Sequence, residues 1–236
     1  MPVALVTGAS RGLGLALTTA LAERGWSLII DARDAAALDA AADRLAAAGA
    51  ATVTAIPGDV SDPAHRARLA AAVPARLDLL VNNASALGPS PQPPLAAYPL
   101  DELARVYAVN TFAPLAITQL ALPALTAAGG RVIAVTSDAA VEPYEGWGGY
   151  GSSKAALDQL SAILGAEQPG LRVYAFDPGD LRTELHQQAF PGEDISDRPE
   201  PETAVPALLR LVDGDLPSGR YRAADLATSV DAEVPA

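Results

Sequence analysis

Tyr150 and Lys154 stand four residues apart at the head of the run Ala155-Ala156-Leu157-Asp158-Gln159-Leu160. On a helix, side chains four apart share one face. This spacing therefore sets a phenol beside an ammonium. A neighbouring positive charge favours the phenolate and lowers the phenol's pKa. Moving a phenol from about 10 to about 7 takes about 4 kcal/mol. A unit charge about 4 Å away, at an effective dielectric of about 20, supplies about that much. The pair is expected to exchange a proton near neutral pH, as a general acid or base does. Ordinary solvated helix faces carry the same spacing, so the rest of the chain must support the chemistry.

A second stretch with chemical character lies near the start. The apolar run Val3-Ala4-Leu5-Val6 reads as a buried parallel strand. Thr7-Gly8-Ala9-Ser10-Arg11-Gly12-Leu13-Gly14 follows, then an amphipathic helix to about Arg24. Strand, glycine loop and helix together suit a phosphate. Glycines let the backbone come close, and a helix N-terminus offers free N–H groups and partial positive charge. The spacing is Gly-x-x-x-Gly-x-Gly rather than the commoner G-x-G-x-x-G.

Composition bounds the reading. The chain has 236 residues, half of them apolar, which suits one α/β domain with a sizeable core. The net charge of -12 argues against nucleic acid or an anionic membrane as partner. Cysteine is absent, which excludes disulfides and thiolate metal sites. His65 and His186 are the only imidazoles, so no metal site is expected and each His reads as a surface residue. The sequence shows no uninterrupted apolar run of membrane-spanning length. Its first strand begins at Val3, which leaves no room for a signal peptide. A cytoplasmic protein is the expectation.

Six further segments place the elements. Ser27 to Asp31, Thr52 to Ile56, Leu77 to Val81, Arg131 to Thr136 and Leu171 to Phe176 read as strands, and Arg220 to Arg222 as a last short one. Helical patterns alternate with them. One begins near Asp101 and passes Asn110, and Pro114 should kink or interrupt it. Another covers about Glu202 to Val212. Gly88 to Pro99 holds five prolines and is expected to border a site as a loop. The tail from Thr228 reads as frayed. The alternation implies a single-domain, Rossmann-type, doubly wound parallel sheet of about seven strands with helices on both faces. Ligands of such sheets sit outside the carboxyl ends of the strands. The unusual clusters all fall at those ends.

With these residues in place, the chain resembles the short-chain dehydrogenases/reductases over nearly its full length. Thr7-Gly8-x-x-x-Gly12-x-Gly14 is similar to their cofactor loop, Asp59-Val60 to their adenine-side pair, and Asn82-Asn83-Ala84 to their fourth-strand motif. Asn110, Ser137, Tyr150 and Lys154 match their catalytic four, and Pro178-Gly179-x-x-x-Thr183 their nicotinamide-side motif. The resemblance implies that Gly8, Ser10, Arg11, Gly12, Leu13 and Gly14 bind cofactor. It implies the same of Arg33, Asp59, Val60, Asn83 and Ala84, and of Pro178, Gly179, Leu181 and Thr183 beside Tyr150 and Lys154. Two departures stand out. Ser85 occupies a position where the family has glycine, and no glycine-rich ending follows Tyr221.

The resemblance implies reversible hydride transfer between a nicotinamide and a carbonyl or alcohol. Tyr150 would give a proton to the carbonyl oxygen, and Ser137 would hydrogen-bond to it. Lys154 would bind the nicotinamide ribose, and Asn110 would hold a water. Asn110 also reads as a helix-interior amide satisfied by backbone. Ser85, Leu87, Tyr144 and Trp147 are candidate substrate residues, with Pro89 and the segment from Leu185 to Ile195. Trp147 reads equally as a packed loop anchor. The segment 181–201 lacks a clear apolar period and is expected to be a lid. NADP(H) is expected over NAD(H), because Ala32 fills the slot where an acidic residue would read the ribose, and Arg33 follows it. One residue of slippage would put Asp31 there and reverse the preference. The matching family helices pair across a two-fold axis, which implies a homodimer or homotetramer. Two other function classes share this fold. A nucleotide-sensing binding protein on this fold is expected to lack Tyr150 or Lys154, and both are present. A sugar-nucleotide epimerase or dehydratase fits this loop and length poorly.

Overall fold

The computed structural model describes residues 1–228. The expected frayed tail falls almost wholly outside them. The elements run β1 (Val3–Val6), α1 (Gly12–Ala22), β2 (Ser27–Ala32), α2 (Ala35–Ala48), β3 (Thr52–Pro57) and α3 (Pro63–Ala72). Then come β4 (Leu79–Asn82), α4 (Leu100–Tyr107), α5 (Ala113–Ala128), β5 (Arg131–Val135) and α6 (Gly148–Glu167). β6 (Arg172–Asp177), α7 (Glu184–Ala189), α8 (Val205–Asp213), β7 (Gly219–Arg222) and α9 (Ala223–Thr228) complete it.

The seven strands form one sheet in the order β3-β2-β1-β4-β5-β6-β7, parallel throughout. The apolar runs explain the layering. Successive strand residues face opposite sides. Ala4 and Val6 of β1, Leu28 and Ile30 of β2, and Leu79 and Val81 of β4 join one core with α1, α2 and α8. Leu5, Ile29 and Leu80 join the other, with Leu69 of α3 and Ile117, Ala121 and Leu125 of α5. Both faces must therefore be apolar, and the strands read as continuous runs rather than alternating ones. The order reverses at β1, whose neighbours are β2 and β4. A crevice opens there at the carboxyl ends.

Three expectations change. The helix expected to be kinked or interrupted at Pro114 runs on, with a π turn at Ala108–Phe112 just ahead of the proline. Pro114 sits in the first turn of α5, where its missing N–H costs nothing. Together Leu100–Ala128 is long and apolar enough by composition to cross a membrane, with a mean hydropathy of 1.4. Here its inner face packs on β4, β5, α3 and α6. His65 is not a surface residue. It is 0% exposed, and its Nε2 lies 2.9 Å from Asp31 Oδ2. It fits because Gly58 has no Cβ; one built there would lie 2.3 Å from His65 Nδ1. The segment 181–201, expected to be a lid without a clear apolar period, contains a regular helix, α7, whose N-terminus is capped by Thr183 accepting from the His186 N–H at 3.2 Å.

Candidate active site

A cleft of about 1410 Å³ runs along the carboxyl ends of the strands, from Arg33 and Asp59 to Tyr150 and α7. Its floor begins at the glycine loop. Gly8 has φ +66°, a left-handed conformation that a side chain disfavours. A Cβ on Gly14 would lie 2.4 Å from the Gly8 carbonyl oxygen. The loop therefore folds back on the start of α1 only because both are glycine. Arg11 is the N-cap of α1 and caps with no side chain, so the first-turn N–H groups are left to a ligand.

Asn83 buttresses this loop. Its Nδ2 donates to the carbonyls of Thr7 at 2.8 Å and Gly8 at 3.0 Å. Thr7 Oγ1 accepts from the Asn83 and Ala84 N–H groups, each at 3.0 Å. Asn83, expected at the cofactor, lines the cleft and shapes the cofactor loop with its amide nitrogen. Asp59 lines the cleft and accepts from the Ser61 N–H at 2.8 Å and hydroxyl at 2.7 Å. Burial works to raise its carboxyl. The two Ser61 bonds and the charges of Arg33 and His65 outweigh that and hold it below the usual carboxylate range. Val60 is buried behind it.

β2 ends one residue later than the sequence suggested, at Ala32. Asp31 is 1% exposed. One oxygen accepts from the Gly8 N–H at 2.8 Å, and the other meets His65. Both carboxylate oxygens are engaged by protein, which holds Asp31 in place beneath the glycine loop. Ala32 and exposed Arg33 line the cleft beside it. Asp34 spends its carboxylate as the cap of α2, accepting from the Ala37 N–H at 3.1 Å. Arg33 makes no ion pair among the described residues. Arg11, by contrast, is paired with Glu184 of α7 across the cleft. Arg44 of α2, which sequence reasoning passed over, also lines it.

The other end carries the reactive side chains. Tyr150 and Lys154 occupy the first two turns of α6, 5% and 1% exposed. Lys154 Nζ donates to the Val135 carbonyl at 2.7 Å and sits 5.6 Å from the Tyr150 ring centroid. The expected neutral-pH phenol is overturned. The Tyr150 phenol is pushed up to about 12, chiefly by burial, and further by the negative charges of Asp177 and Asp138; the Ser85 and Ser137 hydroxyls pull the other way. Burial also lowers Lys154 to about 8, against the pull of Asp158. The spacing argument assumed an unburied pair. Here desolvation disfavours both charged forms, and the ammonium is anchored over the ring.

Ser137 follows β5. Its hydroxyl donates to Asp138 Oδ1 at 2.9 Å and accepts from the Ala139 N–H at 3.2 Å. Asn110 sits in the π turn, fully buried. Its Oδ1 accepts from the Ala86 N–H at 2.8 Å and the Ser85 hydroxyl at 3.3 Å. Its Nδ2 donates to the Ala86 carbonyl at 2.8 Å and Ser153 Oγ at 3.0 Å. All four positions of the amide are used, so its side chain has none left for a water. It locks the loop after β4 to α6.

Of the substrate candidates, Ser85, Tyr144 and Trp147 line the cleft. Leu87 does not; it is buried beneath Tyr150 and Ala139. Pro89 also lies outside the lining. Trp147 meets Tyr150 edge-on at 5.8 Å and tilts against Phe190 at 6.0 Å. The Tyr144 hydroxyl donates to Asp138 Oδ2 at 2.9 Å. Within the segment from Leu185 to Ile195, Leu185, His186, Ala189 and Phe190 reach the cleft. His186 is therefore a lining residue, stacked 4.9 Å from Phe190, rather than the expected surface histidine. Leu181, Thr183, Pro178 and Gly179 line the near side, with the Gly179 N–H donating to Asp177 Oδ1 at 3.0 Å.

A glycine cradle, a helix N-terminus without a side-chain cap and a cleft of about 1410 Å³ at the carboxyl ends of the strands fit a dinucleotide. Residues 2–194 match the family model for short chain dehydrogenase. The chain belongs to the short-chain dehydrogenase/reductase family. Among similar proteins is the rhamnolipids biosynthesis 3-oxoacyl-(acyl-carrier-protein) reductase of Pseudomonas aeruginosa, 40% identical over 188 residues that cover 75% of this chain and 72% of that one. Mouse sepiapterin reductase is 34% identical over 201 residues, 79% of this chain and 77% of that one. Among solved structures, an alcohol dehydrogenase from Thermococcus sibiricus complexed with 5-hydroxy-NADP superposes with a TM-score of 0.85 at 28% identity, covering 94% and 95% of the two chains. This member of the family keeps the Tyr and Lys of α6 and the full glycine loop.

Proposed function

We propose that the protein is an NADPH-dependent carbonyl reductase acting on neutral, largely apolar ketones or aldehydes. The observation that carries the reading is the buried Tyr150 phenol at the head of α6 beside Lys154, lining the cleft with Ser137 and protonated at neutral pH, ready to act as an acid. NADPH, when bound, supplies a hydride to the carbonyl carbon. The Tyr150 hydroxyl delivers its proton to the carbonyl oxygen as negative charge grows there. Ser137 turns its hydrogen from Asp138 to the same oxygen. Lys154 holds the nicotinamide-side ribose and offsets the phenolate left behind. Gly8, Gly12 and Gly14, with Ser10, Arg11 and Leu13, would hold the pyrophosphate side. Asp59, Val60 and Ala84 would frame the adenine side, and Pro178, Gly179, Leu181 and Thr183 the nicotinamide.

NADPH is supported by Ala32 and unpaired Arg33 at the end of β2, and by the 5-hydroxy-NADP of the Thermococcus sibiricus relative. NAD(H) would be accepted less well. The substrate class is supported by the aromatic wall of Tyr144, Trp147 and Phe190 beside the acids Asp138, Glu145 and Asp180. Like charge disfavours anionic substrates there. NADPH oxidation across a panel of ketones, aldehydes and quinones tests the reading. Neutral apolar carbonyls should turn over, and carboxylate-bearing analogues at least about tenfold more slowly. Binding of NADPH with no turnover on any member would favour a nucleotide sensor instead.

Residues 181–201 would close over the bound pair as a lid, with α7 as its rigid part. We also propose a cytoplasmic homodimer or homotetramer. Phe112, Leu120 and Ile163 are large apolar side chains left 59%, 50% and 43% exposed on the helices α5 and α6 and the turn before α5. Sedimentation equilibrium should give a dimer or tetramer mass. A single-chain mass across micromolar concentrations would remove the assembly.

A further inference from the structure

β7 contributes a side chain that none of the sequence motifs accounts for. The Arg220 guanidinium bonds to three different elements. Its Nε donates to Asp158 Oδ2 at 3.1 Å. Its Nη2 donates to Asp177 Oδ2 at 3.0 Å and to the Ser137 carbonyl at 3.0 Å. Asp158 lies on α6 one turn beyond Lys154. Asp177 ends β6, and its other oxygen holds the Gly179 N–H. The side chains are 27% exposed for Arg220, 15% for Asp158 and 3% for Asp177. A planar guanidinium can span such a set, whereas an ammonium is a point charge. Carboxylates this dry are costly to leave unpaired.

We propose that Arg220 is a positioning residue of the reaction, fixing Ser137 and the Asp177-Pro178-Gly179 turn while cancelling two carboxylate charges directly behind Tyr150 and Lys154. The proposal rests on the reading of Tyr150 as the proton donor. Tyr150 is faced by Lys154 from its own helix, by Asp138 from the segment after β5 and by Asp177 from β6. Arg220 shares a small cavity of about 190 Å³ with Arg222, Asp138, Glu142, Tyr144 and Asp177. Among the described residues, Arg220 alone of these cations bonds Asp177. Uncovering Asp177 strengthens its opposition to the phenolate, and a bare Asp158 favours the ammonium of Lys154. The uncovered Asp177 moves release of the phenol's proton to higher pH.

Alcohol oxidation is the direction that reads this, because there the phenolate must accept a proton and the rate rises with pH. In Arg220→Gln the pH profile of kcat should be displaced upward by about one unit. At fixed pH between about 7 and 9, turnover should fall about tenfold, with KM for the alcohol little changed. Arg220→Lys keeps the charge without the fork; it should restore the profile's position while remaining slower than native. A profile for Arg220→Gln that superimposes on the native one overturns the proposal. If that variant fails to fold, Asp177→Asn decides: its profile should move down by about one unit, and an unmoved profile overturns the proposal. Tyr150→Phe is measured alongside. If it retains native turnover, the reading of Tyr150 falls and this proposal with it. If it is inactive and the Arg220→Gln profile is unmoved, Arg220 alone is wrong.

Discussion

Tyr150→Phe is expected to lower carbonyl reduction at least about 100-fold, the lower end of what a positioned acid contributes. The substitution keeps the ring, which matters structurally. The ring is 5% exposed, packs with Leu87 and Ala139, and meets Trp147 edge-on at 5.8 Å. Only the hydroxyl goes, so folding and NADPH affinity should be close to native. The pH dependence follows from the two shifts. The phenol, pushed up to about 12, stays protonated across the working range and does not limit reduction. Lys154, lowered to about 8, loses its proton first as pH rises. The native kcat/KM for NADPH should therefore be flat below about pH 8 and decline above it. Steady-state kinetics with one carbonyl substrate measure both effects. A Phe variant within a few-fold of native would mean that another group supplies the proton. A flat profile through pH 9.5 would mean that Lys154 does not act through its charge.

The same pair shows what a sequence carries and what it does not. Helical spacing was enough to place Tyr150 and Lys154 on one face of α6, because that follows from chain geometry alone. Their ionisation was not readable, because it depends on burial and on Asp138 and Asp177, which the fold brings in from the segment after β5 and from the end of β6. The strands were legible for a similar reason. A parallel strand covered on both faces must be an apolar run, and β1, β2, β4, β5 and β6 all are. His65 was misread because its partner Asp31 lies 34 residues away, and the room for its ring comes from the missing Cβ of Gly58. Asn110 sits in a π turn whose one extra residue leaves no mark in the apolar period. The helix α7 did leave a signal, Thr183 followed by Glu184 as cap and first-turn acid, which the acidic composition of the surrounding segment masked. Arg220 had no local signal. Its three partners belong to three elements that meet only in the folded sheet.

The second large effect concerns which dinucleotide is used. The native enzyme should show a kcat/KM at least about tenfold higher with NADPH than with NADH, and Ala32→Asp with Arg33→Ala should reverse that order. The 2′-phosphate carries close to two negative charges, and a hydrogen bond to such a group from Arg contributes about 1.5–3 kcal/mol, or about 10- to 100-fold. The end of β2 is where that contact would be made. Asp31, the acid that one residue of slippage would put in the slot, has both oxygens engaged, by the Gly8 N–H at 2.8 Å and by His65 at 2.9 Å. Asp34, the acid that could have neutralised Arg33, caps α2 instead. Arg11 contributes less than its place in the loop suggests, because Glu184 already holds it. Arg33 therefore carries the preference. In the double variant the guanidinium is gone, and a new carboxylate accepts from the ribose 2′-hydroxyl while repelling a phosphate. The ratio of kcat/KM values should fall at least about 100-fold. Measuring the Arg33→Ala single variant separates the two contributions, since it should lose NADPH activity without gaining NADH activity. A native enzyme faster with NADH would place the acidic slot elsewhere and remove Arg33 from the site.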